Sequence, residues 1–359
     1  MPYDRPPLSK KVLTDDEQQA VELTRLPFPD NLGIEWRLGT PASKLDVDAS
    51  RVTLADGDQV EYSRLVIATG AHPRRLAALG DLARVHLLRT IDDALALRSD
   101  LRASPSSVAI IGAGFIGLEV ASSCLDLGLR VTVIEALPTP LERAVGSAMG
   151  ARIAERHRRA GVTVETGVGV DSLQGTDGVE AVRLADGRVV AADVVVVGVG
   201  VAPSVDWLIG SGVDLDNGVR CDSRLRVLSG GRPIPGVVAA GDVARWEHPG
   251  HNVAVRVEHW TNAVEQGQAS ARTLIRGDEA EPFAPVPYFW SDQLGSKLQM
   301  VGQTVPGDEM VLLEDDDPKW LAAFGRDGHL VGALGSGRPA KVMRLRREIE
   351  HQGPFPPQA

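Results

Sequence analysis

The sequence predicts an α/β protein: two dinucleotide-binding domains of three-layer construction, followed by a small α+β domain. Three observations predict it. The stretch VAIIGAGFIGLE, Val108 to Glu119, followed by RVTVIE, Arg130 to Glu135, reads as strand, glycine turn, helix, strand and terminal acid, which is a βαβ unit. The text RVTLADGDQVEYSRLVIATG at Arg51 to Gly70 is written again as AVRLADGRVVAADVVVVGVG at Ala181 to Gly200, at a constant offset of 130 residues. An internal repeat of that kind implies two copies of one domain, each closing with a β hairpin and a buried strand. Beyond Pro287, short strand-like segments precede one basic helical stretch, Lys341 to Glu350.

Each part of the βαβ unit has a physical task. Gly112 permits the turn out of the strand, Gly114 lets backbone approach a pyrophosphate, and Gly117 lets helix and sheet pack closely. The phosphates would rest on the helix N-terminus. Glu135, ending the second strand, is placed to accept hydrogen bonds from the adenosine ribose 2'-hydroxyl. Its carboxylate would repel a 2'-phosphate, and Ala136 and Leu137 supply no adjacent arginine, so NAD(H) is the expected coenzyme.

The bulk numbers narrow the classes. The 359 residues are 43% hydrophobic and 24% charged with a net charge of -10, an ordinary balance for a globular chain of two or three domains. The negative charge argues against nucleic acid or an anionic membrane as partner. Met1 to Arg5 lacks an apolar leader and runs such as Val194 to Val197 are too short to span a bilayer, so the cytoplasm is the expected location. Cys124 and Cys221 are the two cysteines, 97 positions apart, which leaves neither a disulfide framework nor a redox CxxC, and both are expected to be buried thiols. His72, His86, His157 and His259 have no metal-ligand spacing.

In chain order, YDRPPLSK near the start reads as a loop with a proline-stiffened entry. Leu65 to Ala68 reads as a buried strand ending at Thr69-Gly70. If the two copies match throughout, the first copy's glycine turn would lie upstream of Met1, and no second GxGxxG occurs in the sequence. Gly236 to Ala240 reads as a buried strand ending in Gly241-Asp242, which puts Asp242 at a strand's carboxyl end, where ligands bind. A helix is expected from Asn262, with Glu265 completing a capping box, to about Ile275. Residues 278 to 287, with three prolines, read as a linker, and Tyr288 to Val301, Met310 to Leu313, Leu321 to Phe324 and His329 to Leu334 as strands. HQGPFPPQA reads as a disordered tail. The expected domains are 1–103 and 228–281 for the first dinucleotide domain, 104–227 for the second, 282–350 for the C-terminal domain and 351–359 for the tail.

YDRPPLSK, LVIATG, VAIIGAGFIGLEVA, VVVVGVGVAP, VVAAGDVA, RVEHWTNAVEQG and PYFWSDQLGSKLQMVG occur in this order. In that order the chain resembles the flavin-dependent ferredoxin reductases, the relatives of putidaredoxin reductase and of the reductases serving Rieske-type dioxygenases. The resemblance covers nearly all of residues 1 to 350. It implies a glutathione-reductase-like fold: an FAD domain split by an inserted NAD domain, then an interface domain. It departs at the front, where family members carry a GxGxxG that grips the FAD pyrophosphate. Carried over by position, Arg5, Lys10, Ala42, Thr69, Gly70, Arg89, Asp242 and Trp260 would touch FAD. Gly112, Gly114, Gly117, Glu119, Glu135, Val199, Gly200 and Glu258 would serve NAD. Lys10 and Glu119 would pair beside flavin and nicotinamide and tune the chemistry there.

Hydride transfer between two bound cofactors needs few acid or base side chains, which fits a sequence without a triad or metal cluster. Arg338, Lys341, Arg344, Arg346 and Arg347 gather positive charge in an acidic protein, and a docking patch for an acidic ferredoxin is one reading of them; a solvated helix face is the other. The expected activity is transfer of electrons from NADH through FAD to a [2Fe-2S] ferredoxin of an oxygenase system, by a monomer or homodimer. A flavin-free NAD-binding protein, or a reductase serving rubredoxin, a nitrite-reductase-type centre or a quinone, stands as the alternative.

Overall fold

Strand Val194–Val197 has no polar residue to show to water and must be covered on both faces, and it lies inside a parallel sheet. The computed structural model describes residues 2–15, 22, 24, 26, 30–76, 79–80, 82–250, 253–305 and 307–357. They divide into two compact units, one of residues 27–72 and 201–289, the other of residues 2–26, 73–200 and 290–359.

In the second of these units a parallel sheet runs in the order Val85–Leu87, Val194–Val197, Ser107–Ile111, Arg130–Glu135, Thr163–Thr166. Ala109, Ile110, Val133 and Val195 are wholly buried in it. Helices Ile91–Arg102, Phe115–Asp126 and Glu142–Arg159 pack on the strands. A three-stranded hairpin sheet, Val170–Gln174, Ala181–Leu184 and Val189–Ala191, lays Val182 and Leu184 against Ala109, Ile111 and Val195, which completes three layers. Thr90 and Asp93 form a reciprocal capping box at the start of Ile91–Arg102, and that box sets where the chain turns after Val85–Leu87. Residues 6 to 14, expected as a loop, are instead two short helical segments, Pro6–Ser9 and Lys11–Thr14. Burial explains the difference: Leu8, Val12 and Leu13 are inaccessible and need the turn to face inward.

The repeat extends to hydrogen bonds. In the first copy Lys44 faces Thr53 and Ala42 faces Leu54 across a bulge; in the second Ser172 faces Arg183 and Val170 faces Leu184 across the same bulge. The amides of Gly57 and Gly187 close the two turns on Leu54 and Leu184, each at 3.0 Å. Asp56 and Asp186 each accept from the amide two residues on at 3.0 Å.

In the other unit a six-stranded sheet runs in the order Val253–Val255, Ala244–His248, Val219–Cys221, Arg226–Ser229, Arg232–Ala239, Leu65–Ile67. Trp246 is fully buried among Leu45, Ile67, Leu208 and Leu225, with its indole N–H on the Phe283 carbonyl at 3.2 Å. Leu65–Ile67 is the edge strand and Val66 stays 44% exposed, so the expected burial of that strand holds for Ile67 alone of its three residues. Val85–Leu87 belongs to the parallel sheet, whereas Val219–Cys221 and Arg226–Ser229 pair within the six-stranded sheet. A strand's partners are set by register, which its own residues do not state.

The helix expected from Asn262 begins two residues earlier, as Trp260–Arg276. Asn262 does not cap it, and its amide instead donates to the Val257 carbonyl at 3.0 Å. The C-terminal sheet runs in the order Tyr288–Gln293, Ser296–Gly302, His329–Ser336, Lys319–Arg326, Glu309–Asp316, and helix Pro339–Glu350 packs on it. Tyr288 to Val301 is thus a hairpin rather than one strand, turned by Leu294 and Gly295, both at positive φ, a pairing that suits a two-residue turn. The tail expected to be disordered folds back as far as it is described. Pro354 bridges His329, the Phe355 amide bonds the Gly328 carbonyl at 2.9 Å, and Pro357 is buried. The apolar Phe355 ring packs on Gly325, where a side chain would collide with it; residues 358–359 lie outside the described residues. Among the described residues no helix is long and apolar enough to cross a membrane.

Candidate functional site

The parallel sheet reverses its order between Ser107–Ile111 and Val194–Val197, the kind of switch point at which strand ends diverge and leave a crevice. A cavity of about 600 Å³ opens there, lined among others by Gly112, Gly114, Glu135, Val199 and Gly200. Gly112 sits at φ +103, and a Cβ on it would lie 2.4 Å from the Gly198 carbonyl oxygen. A Cβ on Gly117 would lie 2.2 Å from the Gly112 oxygen. Gly114 differs, since its φ is -75 and a Cβ would meet nothing nearer than the Gly198 oxygen at 3.9 Å. Two glycines are therefore required by packing, and the third leaves bare backbone facing open space at the start of helix Phe115–Asp126. That is a cradle for a phosphate.

Glu135 is held at the strand end by two backbone donors, Ala113 N to Oε2 at 2.8 Å and Leu137 N to Oε1 at 2.9 Å. Each oxygen keeps a lone pair for a further donor. The cavity wall also holds Arg143, which sequence spacing did not bring to this place. It stands in the first turn of Glu142–Arg159, after a loop whose path returns to the strand ends.

Lys10 and Glu119 meet. Lys10 Nζ lies 2.8 Å from Glu119 Oε2, and the Glu119 side chain is only 6% exposed. Ser9 Oγ donates to the same oxygen at 2.5 Å; Ser291 Oγ donates to Oε1 at 2.7 Å, with the Asp292 amide at 3.3 Å. Neither serine was legible as a partner, because one lies 110 residues before Glu119 and the other 172 after it. In the same unit Arg5 is exposed at the start of the Pro6–Ser9 turn, and the Arg89 amide donates to Asp93 Oδ2 at 3.0 Å.

The other unit holds the remaining candidates. Ala42 opens the first hairpin, Thr69 donates to the Ser204 carbonyl at 2.8 Å and Gly70 takes φ +67. Asp242 follows Gly241 at the end of strand Arg232–Ala239, and the Trp260 indole is 43% exposed at the start of its helix. Arg256, unremarked in the sequence, organises this end: it pairs with Glu258 at 2.5 Å and donates to the Asp242 carbonyl at 3.2 Å. Gln266 accepts from the Gly241 amide at 2.7 Å, while its Nε2 and the Nδ1 of His259 are buried with no partner among the described residues. Burial pushes His259 down to about 4, against the pull of Asp242. Such orphaned polar atoms beside a strand end suit a polar cofactor.

The basic C-terminal helix is not a free positive face. Arg338 is 2.7 Å from Glu314 and 2.5 Å from Asp316, Lys341 also bonds Glu314, and Arg344 lies 3.6 Å from Glu348. Glu314 and Asp316 come from the end of strand Glu309–Asp316, which the count of helix charges alone could not include. Cys124 and Cys221 are buried; desolvation pushes the Cys124 thiol up to about 12 and the Cys221 thiol up as well.

The chain is similar to rhodocoxin reductase of Rhodococcus erythropolis, 38% identical over 362 residues, covering 100% of this chain and 83% of the relative. It is 37% identical to the ferredoxin–NAD(+) reductase component of the anthranilate 1,2-dioxygenase system of Burkholderia cepacia, over 97% of this chain and 85% of that one. The crystal structure of the covalent putidaredoxin reductase–putidaredoxin complex superposes with a TM-score of 0.90 at 29% identity, over 99% of this chain and 85% of that chain. The family model for pyridine nucleotide-disulphide oxidoreductases matches residues 1–267 and that for the reductase C-terminal domain residues 288–359. The chain belongs to the pyridine nucleotide-disulphide oxidoreductase family.

Proposed function

We propose that this chain is a cytoplasmic NADH-dependent, FAD-containing reductase that delivers electrons to a small [2Fe-2S] ferredoxin of an oxygenase system. The observation that carries the reading is the switch-point cavity, with Gly114 bare at a helix N-terminus and Glu135 fixed at the strand end, in a chain of this family. FAD, when bound, takes a hydride from nicotinamide and releases its electrons singly, which suits an iron-sulfur acceptor. Gly112, Gly114 and Gly117 shape the pyrophosphate seat, and the helix start supplies its positive potential. Glu135 accepts from the ribose hydroxyls and repels a 2'-phosphate; Arg143 on the same wall opposes that repulsion. The carboxylate, held by two N–H donors, tips the balance to NADH. Val199, Gly200 and Glu258 serve the nicotinamide end. Arg5, Lys10, Ala42, Thr69, Gly70, Arg89, Asp242 and Trp260 would hold FAD, and the orphaned atoms of His259 and Gln266 fit such a group. Lys10, anchored by Glu119, keeps a fixed positive charge for the hydride-accepting end.

The acceptor docks by its negative charge, steered by the basic helix that carries Lys341, Arg344, Arg346 and Arg347. The deciding measurement is the visible spectrum of the purified chain with added FAD, followed by anaerobic NADH. A flavin band that bleaches supports the reading; a colourless protein that binds NADH overturns it in favour of a flavin-free binding protein. Reversing the charge of Arg344 and Arg347 should weaken reduction of an acidic ferredoxin at low salt, and an unchanged salt dependence removes the helix from the docking surface.

A further inference from the structure

The Glu119 carboxylate accepts four hydrogen bonds, from Ser9, Lys10, Ser291 and the Asp292 amide, and is almost wholly buried. Two of the four come from one strand of the C-terminal domain. Ser291 is itself fully buried, and its Oγ receives a hydrogen bond from Gln293 Nε2 at 2.9 Å. Gln293 is 2% exposed and sits on the same face of the strand, two residues on. An amide N–H can only donate, so it occupies a lone pair of the Ser291 oxygen and leaves the hydroxyl proton for Glu119. The chain of donors therefore has one direction, Gln293 to Ser291 to Glu119, and ends on an acceptor.

We infer that Ser291, oriented by Gln293, is a positioning residue: it occupies Glu119 Oε1 and holds the carboxylate with Oε2 turned to Lys10. The inference rests on the proposed reductase function for its consequence, because the charge so held is the one offered to the hydride-accepting end. The other charged groups around the pair are accounted for. Lys10 also donates to the Pro6 carbonyl at 3.0 Å. Asp292 turns its carboxylate to Lys297 at 3.6 Å. His157, from helix Glu142–Arg159, meets the Glu119 helix at the Leu118 backbone and is held below its ordinary range chiefly by burial.

The test begins without any cofactor. The infrared carboxyl band that disappears in Glu119→Gln identifies the group, and its frequency is compared in the wild type, Ser291→Ala and Ser291→Thr. Loss of the Ser291 hydrogen bond should shift the band in the alanine variant, while threonine, which keeps the hydroxyl, should follow the wild type. An alanine variant whose band stays at the wild-type frequency overturns the inference. Should that variant fail to fold, Gln293→Met frees the hydroxyl to rotate and should shift the band in the same direction by less; no shift there is equally fatal. In the chain loaded with FAD, the acid limb of flavin reduction by NADH should move in the alanine variant and stay in place in the threonine variant. If the infrared band moves and that limb does not, Ser291 holds Glu119 without positioning anything for the reaction, and the inference fails although flavin that still bleaches with NADH leaves the reductase reading intact.

Discussion

Substituting Gly114 and Gly117 separately by alanine should divide coenzyme binding from folding. At Gly117 a methyl group would lie 2.2 Å from the Gly112 oxygen and 3.3 Å from Ile110, both in the packed layer between helix and strand. Relief requires the helix to move outward, an overpacking cost of about 1–3 kcal/mol, and the melting temperature should fall by several degrees for a unit of this size. At Gly114 the backbone is already in a conformation alanine adopts, and the nearest atom to the methyl is 3.9 Å away. Exchange of glycine for alanine at a helix N-cap costs only about 0.5–1 kcal/mol. The methyl instead enters the space a pyrophosphate would use. Losing one charge-assisted bond to backbone N–H, worth about 1.5–3 kcal/mol, should weaken NADH binding roughly ten- to a hundredfold. Calorimetric melting and NADH titration of the two variants without flavin decide it. A Gly114→Ala chain that binds NADH as the wild type does would show that the pyrophosphate does not sit on this helix, and the cavity would lose its assignment.

The wall opposite makes a second prediction: Glu135→Ala should lose discrimination against NADPH, whereas Arg143→Ala should sharpen it, as read by the ratio of kcat/KM for the two coenzymes. If Glu135→Ala leaves that ratio alone, the carboxylate does not face the ribose. Acid stability offers a third, through His259, whose folded value near 4 lies below its ordinary 6.5. A depressed histidine means that the unfolded chain binds the proton first, so stability is fully present above about pH 6.5 and is lost as pH falls toward 4. By linkage the loss is about 2 kcal/mol at pH 5. In the cofactor-free chain, His259→Asn should therefore gain on the wild type by that amount between pH 7.5 and 5 in denaturant melts, and parallel curves would mean that the imidazole is not buried neutral.

Much of the fold was legible because it is written in local periodicity. The run Val108 to Glu135 states strand, turn, helix and strand by apolar spacing and glycine position, and the hairpins at 51–61 and 181–191 repeat down to the aspartate that closes each turn. Of the candidate site, the glycines, Glu135 and the pairing of Lys10 with Glu119 could be named in advance, the last through family resemblance and not through any spacing of its own. What could not be read depends on contacts between residues far apart. Ser291 reaches Glu119 across 172 positions, Arg143 enters the switch-point cavity only because its loop returns to the strand ends, and Arg338 and Lys341 are answered by Glu314 and Asp316 from another strand. The sheet to which a short strand belongs is hidden for the same reason: Val85–Leu87 and Val219–Cys221 are three residues long, and only the register of hydrogen bonds assigns each to one sheet. The sequence by itself determined the elements and the coenzyme motif, since these rest on backbone conformation and period. Tertiary structure decided which charges are neutralised, which are held, and what lines the switch-point cavity, since these rest on distances that chain position does not encode.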